Sequence, residues 1–253
     1  MTDGYRVVWA DEFKNGSRPD PTNWVFETGL KRNEEAQLYQ ETNARIERGK
    51  LVIEARRERV ANPGHKPGSD RWNEKSPFAE YTSASLTTEG KHSWLYGRFE
   101  MRARIDTRLG LWPAFWTLGV EREWPSSGEI DIMEFYRGKL LANVAWATER
   151  RWTAKWASTA TELEKLGVAR WASKFHLWRM DWTEEKIELS VDGKVLNRVE
   201  LSKTTNPDGF NPFRQPHYLL LNLAIGGQNG GDPAKTEFPA KFEVDFVRVS
   251  QKV

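Results

Sequence analysis

Short runs in which apolar and polar residues alternate, separated by turn chemistry, recur along this chain and narrow its fold more than any other feature. A period of two sends successive side chains to opposite faces, the geometry of a strand and of no helix. Residues 81–87, 97–105, 186–191 and 241–249 alternate in this way. In the last of these runs Phe242, Val244, Phe246, Val247 and Val249 are expected to point mostly inward. Residues 45–55 read as a hairpin turning at Arg48-Gly49-Lys50, and Asp192-Gly193 turns another. Helical character is confined to residues 159–166. There Thr159 and Glu162 have the spacing of a capping box, and Gly167 would stop the helix after two turns. The 253 residues contain no repeat, low-complexity tract or linker. Many short strands and one short helix predict an all-β sandwich forming one domain over residues 1–253.

The stretch 127–136, Ser-Gly-Glu-Ile-Asp-Ile-Met-Glu-Phe-Tyr, places three carboxylates within six residues. On an unbroken strand Glu129, Asp131 and Met133 share a face and Glu134 points the other way. Glu134 joins the other two only if a β-bulge absorbs one residue, a device that re-aims side chains beside active sites. With the bulge, the two glutamate Cα atoms stand roughly 13 Å apart, four steps of about 3.3 Å, and their carboxyl groups can converge. A solvated polar face is the bland alternative, since many sheets have one wet side. Like charges on one face repel, however, and a strand chosen for structure alone gains nothing from them. Gly128 ahead of the motif, Glu134 at its sixth position and the surrounding tryptophans favour a catalytic reading.

Glu-Ile-Asp-Ile-Met-Glu resembles the E-x-D-x-x-E signature of glycoside hydrolase family 16, in its bulged, laminarinase-like form. Residues 33–39, 96–100, 111–116 and 221–227 resemble further family segments in the family's order, so the likeness covers nearly the whole chain. It implies a concanavalin-like jelly roll, two curved antiparallel sheets with an open substrate cleft. Carried over on the motif, it makes Glu129 the nucleophile, Glu134 the general acid/base and Asp131 the group that tunes them. The implied mechanism is retaining, with carboxyl groups about 5–5.5 Å apart. Neighbouring carboxylates raise one another's pKa, so one can stay protonated near neutral pH while another is ionised. The implied activity is endo-hydrolysis of internal β-glycosidic bonds in β-1,3- or mixed-linkage β-1,3/1,4-glucan.

The resemblance puts Asn33 at the cleft rim as a sugar hydrogen-bonding partner; local chemistry alone equally allows a turn residue. Arg98 and Trp146 are further substrate-binding candidates. Trp112 and Trp116 share a strand face with Ala114, and are candidates to stack on sugar rings or to fill core. Laminarinase-like relatives often carry a histidine where Ala145 stands, and Arg150, Arg151 and Lys155 interleave with Trp152 and Trp156. These departures open a second enzyme reading, an endo-acting galactanase on agar-like or sulfated polymers. Residues 62–77, rich in Pro, Gly, Asn and Ser, form a loop that could wall the cleft. The resemblance also implies one structural Ca²⁺, held by Glu12, the Gly49 carbonyl and Asp245 and taking no part in catalysis.

Composition sets the remaining bounds. Thirteen tryptophans are unusually many; some must fill core, and platforms that stack on sugar rings are their other standard use. With 38 basic and 36 acidic residues, a net charge of +2 gives no electrostatic case for nucleic acid as partner. The absence of cysteine excludes disulfides and thiolate metal sites. No apolar stretch is long enough to span a membrane. A strand-like segment starts almost at once, so export to a secreted, periplasmic or cell-surface location would rest on a leader already removed. A monomer whose partner is a polysaccharide is expected. Outside enzymology the alternative is a non-catalytic carbohydrate-binding module, against which clustered acids facing neutral sugars argue.

Overall fold

In the strand Gly97–Arg104, Phe99, Met101 and Ala103 are fully buried while Arg98, Glu100, Arg102 and Arg104 take the other face. The same sorting on strand after strand builds two large antiparallel sheets in the computed structural model, which describes residues 4–166 and 170–253. One sheet has seven strands, in the order Ala154–Glu162, Lys139–Ala147, Glu129–Tyr136, Leu111–Gly119, His217–Ile225, Ser85–Thr87 and Val25–Glu27. The other has eight, with Gly97–Arg104 and Ala240–Lys252 at its centre. Phe115, Ile130, Ile132 and Phe135 from the first sheet meet Phe99, Met101, Phe242 and Val247 from the second in one continuous core. Burial of these rings and branched chains removes apolar surface from water, the dominant favourable contribution to folding. The expected all-β sandwich is what forms. Among the described residues no helix is long and apolar enough to cross a membrane.

Three expectations change. Residues 159–162 are not the start of a helix but the end of the strand Ala154–Glu162, paired residue for residue with Lys139–Ala147. Thr159 and Thr161 belong to a strand's alternation, and the unbroken ladder outweighs a local capping pattern. Only Leu163–Leu166 turns helically, as one 3₁₀ turn; the proposed stop at Gly167 lies outside the described residues. The loop of residues 62–77 folds on itself instead of walling the cleft. Asn62 Nδ2 donates to the carbonyls of Asn73 and Ser76, both at 2.9 Å, and no residue of the loop lines the cleft. In the strand Ala240–Lys252, Phe246 is only half-buried, with the Arg248 guanidinium 3.9 Å from its ring centre. A register shift opposite Arg102 and Ala103 moves the inward parity from Phe242 and Val244 to Val247 and Val249.

Candidate active site

The bulge expected on the strand Glu129–Tyr136 is present. Asp131 pairs with Asn143 and Glu134 with Leu141, so three steps on one strand match two on its partner. The register on the other side slips at the same place, where Phe115 pairs with Met133 and Trp116 with Asp131. As a result Ile130, Ile132, Met133 and Phe135 all enter the core, while Glu129, Asp131 and Glu134 line one open cleft of about 890 Å³. Gly128 feeds the chain into this strand at φ +76°, and a Cβ there would stand 2.8 Å from Pro212 Cβ and 3.0 Å from the Phe213 ring. Only glycine meets both conditions without displacing its neighbours.

The cleft holds its carboxyl groups with specific donors. Trp112 Nε1 donates to Glu134 Oε1 at 2.7 Å, and Trp124 Nε1 donates to Glu129 Oε2. Asn143 Nδ2 reaches Asp131 Oδ2 at 3.2 Å and Glu134 Oε2 at 3.0 Å, tying the two groups together. Asp131 is 2% exposed, and burial, followed by the charges of Glu134 and Glu129, pushes its carboxyl well above the usual aspartate range. Burial, followed by the Glu129 charge, raises Glu134 to about 7. Glu129 is raised too, chiefly by burial, but it is the best held as an anion. It accepts from Asp131 and Trp124 and faces the Arg32 guanidinium. The three titrate as one set. Within this set Glu129 is the least opposed as an anion, Asp131 is the most strongly favoured to hold a proton, and Glu134, at about 7, is poised to give or take one.

A raised carboxyl pKa carries a stability cost with a definite sign. Between 4.5 and about 7 the folded state binds the Glu134 proton more tightly than the unfolded chain does. This contribution is therefore fully present below the unfolded value and is lost as pH rises through about 7. Glu134→Gln removes the penalty and should melt above the parent at pH 8, by about 1–3 kcal/mol or roughly 5 °C after discounting for solvent access and the altered Asn143 contact. The gap should close toward pH 4. A gap independent of pH in thermal melts would contradict the assignment of the shift to this carboxyl.

Beside the carboxylates a second polar chain crosses the cleft floor. Trp116 Nε1 donates to Asn222 Oδ1 at 2.7 Å, Asn222 Nδ2 to the Tyr39 hydroxyl at 3.1 Å, and that hydroxyl to Glu35 Oε2 at 3.1 Å. Gln37 and Asn33 also donate to Glu35, whose carboxyl burial pushes up. The Arg32 guanidinium lies 5.1 Å from the Trp116 ring centre and is paired with Glu27. Residues Gln37–Tyr39 form a short strand parallel to Tyr81–Ser83.

Of the predicted binding residues, Asn33, Trp112 and Trp116 line the cleft. Trp112 and Trp116 are nearly buried and hydrogen-bonded, so their first role is to fix Glu134 and the floor. The exposed indoles of the cleft are Trp152 and Trp156, which extend its wall from the hairpin beyond Ala147. Arg98 and Trp146 are corrections. Arg98 sits on the eight-stranded sheet, bound to Asp181 at 2.7 Å, because its neighbours Gly97 and Phe99 take the core-facing parity. Trp146 follows Ala145, the cross-strand partner of Glu129, so parity turns its indole into the core. The three residues expected to hold Ca²⁺ do not fit one. Glu12 is paired with Arg248, while the Gly49 carbonyl and Asp245 both accept from Lys14 Nζ. Among the described residues no three His, Cys, Asp or Glu side chains cluster as metal ligands.

Sequence reasoning missed Asn143, Trp124 and Glu35. Asn143 had a usable signal, as the one polar side chain within the apolar run 140–147. Glu35 and Trp124 had none, since loop geometry brings both to the cleft.

The sequence model of glycosyl hydrolases family 16 matches residues 32–248. A beta-glucanase of Rhodothermus marinus is 36% identical, over 97% of this chain and 85% of its own length. A structure from work on endo-acting O-glycanases with which human gut microbes initiate mucin breakdown superposes with a TM-score of 0.90 at 34% identity, covering 100% of this chain and 92% of that one. The endo-beta-1,3-glucanase of Pyrococcus furiosus gives 0.83 at 35% identity, over 98% of this chain and 95% of that one. With the bulged carboxylate strand in place on a matching fold, the chain belongs to glycosyl hydrolases family 16.

Proposed function

We propose that this chain is a retaining endo-β-glycosidase that cuts internal bonds of β-1,3- or mixed-linkage β-1,3/1,4-glucan. The observation that carries the reading is the bulge, which turns Glu129 and Glu134 to one cleft with a buried, proton-holding Asp131 between them. Glu134 gives its proton to the glycosidic oxygen as that bond breaks, and the Glu129 carboxylate bonds to C1. Water then attacks C1, Glu134 takes the water's proton, and the ester bond to Glu129 breaks. Both the proton and the nucleophile come from carboxyl side chains, so the reaction needs no metal or cofactor. Beta-glucanase and endo-beta-1,3-glucanase relatives favour glucan as the polymer cut. A polysaccharide does not cross a membrane unaided, which supports a place of action outside the cytoplasm. One sheet of one chain supplies every reacting group, and a monomer suffices.

The same arrangement argues against a pure binding module, because burying three carboxyl groups together costs stability and gives a binder of neutral sugars nothing. A specific observation favours a second enzyme reading. Across the seven-stranded sheet Glu129, Ala145 and Trp156 stand in one cross-strand row. Ala145 is fully buried, so no side chain at this place in the row reaches a sugar, which favours a polymer of different shape, as in galactan or mucin-type chains. Arg151 supports this reading less than its sequence suggested, since Glu123 already pairs with it at 2.9 Å.

Reducing-end release from laminarin, barley mixed-linkage glucan, agarose, porphyran and mucin tests the choice, with Glu129→Gln as blank. Release from the glucans is expected; release from galactans or mucin alone would move the assignment to the second reading. On the preferred polymer Trp156→Ala should raise KM by roughly 3–10-fold with little change in kcat, the effect of losing one stacking platform. A fall in kcat at constant KM would instead tie Trp156 to the chemical step.

A further inference from the structure

Just beyond the strand Tyr5–Asp11, Lys14 reaches two of the groups that the family likeness assigned to a calcium ion, one in the turn at Arg48-Gly49 and one on the strand Ala240–Lys252. We propose that the ε-ammonium of Lys14 takes the place of that ion, so that a cation built into the chain ties these three segments and the fold is independent of Ca²⁺. Lys14 Nζ donates to the Gly49 carbonyl at 3.0 Å and to Asp245 Oδ1 at 3.2 Å. These are ammonium distances; Ca²⁺ draws its oxygens to about 2.3–2.6 Å and takes six to eight of them. The second Asp245 oxygen accepts from Arg102 at 2.6 Å. Glu12 is engaged by both ends of the Arg248 guanidinium, at 2.6 and 3.0 Å. Both carboxylates are thus already engaged by cations of the chain itself.

The turn is shaped to its lysine. Gly49 has φ +71°, and a Cβ there would lie 3.3 Å from Lys14 Cδ, so the glycine lets the turn close over the lysine stem. A calcium ion ties such segments only while free Ca²⁺ exceeds its dissociation constant, whereas a tethered ammonium is present at all times. Its stem is 54% exposed, so each contact is modest.

Thermal melts of the full chain test this inference without reference to substrate or activity. The parent should melt within about 1 °C of the same temperature in millimolar CaCl₂ and in EDTA, because neither adds nor removes a ligand of the fold. Lys14→Met keeps the stem and loses the charge, and should melt about 2–4 °C lower in both solutions. Lys14→Arg, which keeps a cation on the same stem, should recover part of that loss. Should Lys14→Met not fold, the parent's comparison and Lys14→Arg still decide. A parent midpoint that rises with Ca²⁺ and falls with EDTA would overturn the inference, and so would a Lys14→Met protein that melts with the parent.

Discussion

Glu129→Gln is expected to lower kcat by about 10⁴-fold or more on whatever polymer the parent cuts, the scale of losing a covalent nucleophile. The amide is nearly the size of the carboxylate but cannot form the ester at C1. Trp124 can still donate to the amide oxygen, and one of three crowded acids is gone, so the fold should be kept or slightly strengthened. Oligosaccharide binding should stay within a few-fold, because the floor from Trp116 to Glu35 and the wall at Trp152 and Trp156 are untouched. Turnover measured beside circular dichroism and an oligosaccharide titration checks all three. Activity within about 100-fold of the parent would remove Glu129 from the role.

Glu134→Gln has the second largest effect, and its pattern differs. On polymer kcat/KM should fall by about 10²–10⁴-fold, since the departing sugar oxygen must be protonated as it leaves. An aryl glycoside with an acidic phenol needs no such help, so formation of the glycosyl-enzyme from it should fall far less. The parent's kcat/KM should decline above about pH 7 as Glu134 loses its proton, and the acid limb should follow protonation of Glu129. In Glu134→Gln the alkaline limb should vanish. A variant that keeps that limb, or that loses equally on both substrates, would mean that another group donates the proton.

Much of this was legible in the sequence because the fold is written in parity. Six residues, Glu-Ile-Asp-Ile-Met-Glu, demanded a bulge, and the register slips between Asp131 and Glu134. Trp146 is misplaced when it is read as a binding candidate without an argument from parity. Anchored on Asn143, whose amide belongs with the carboxylates, parity puts the buried Ala145 on their side of the sheet and Trp146 in the core. Arg98 shows a different limit: alternation with Phe99 fixed its face but not its sheet, which depends on pairing with strands far away in the chain. Glu35 and Trp124 reach the site from loops, and period carries no information there. Lys14 was invisible for a further reason. Its partners are residues 35 and 231 positions distant, and an isolated lysine near a chain's start gives no local hint of them.

The most direct test of the bulged carboxylate site is to trap its covalent intermediate. A 2-deoxy-2-fluoro glycoside of the cleaved sugar with a good leaving group should esterify the enzyme and stall, because the fluorine slows both steps while the good leaving group restores only the first. Peptide mapping by mass spectrometry should find the sugar on Glu129 alone. Sugar on Glu134 or Asp131 would contradict the assignment of roles across the bulge.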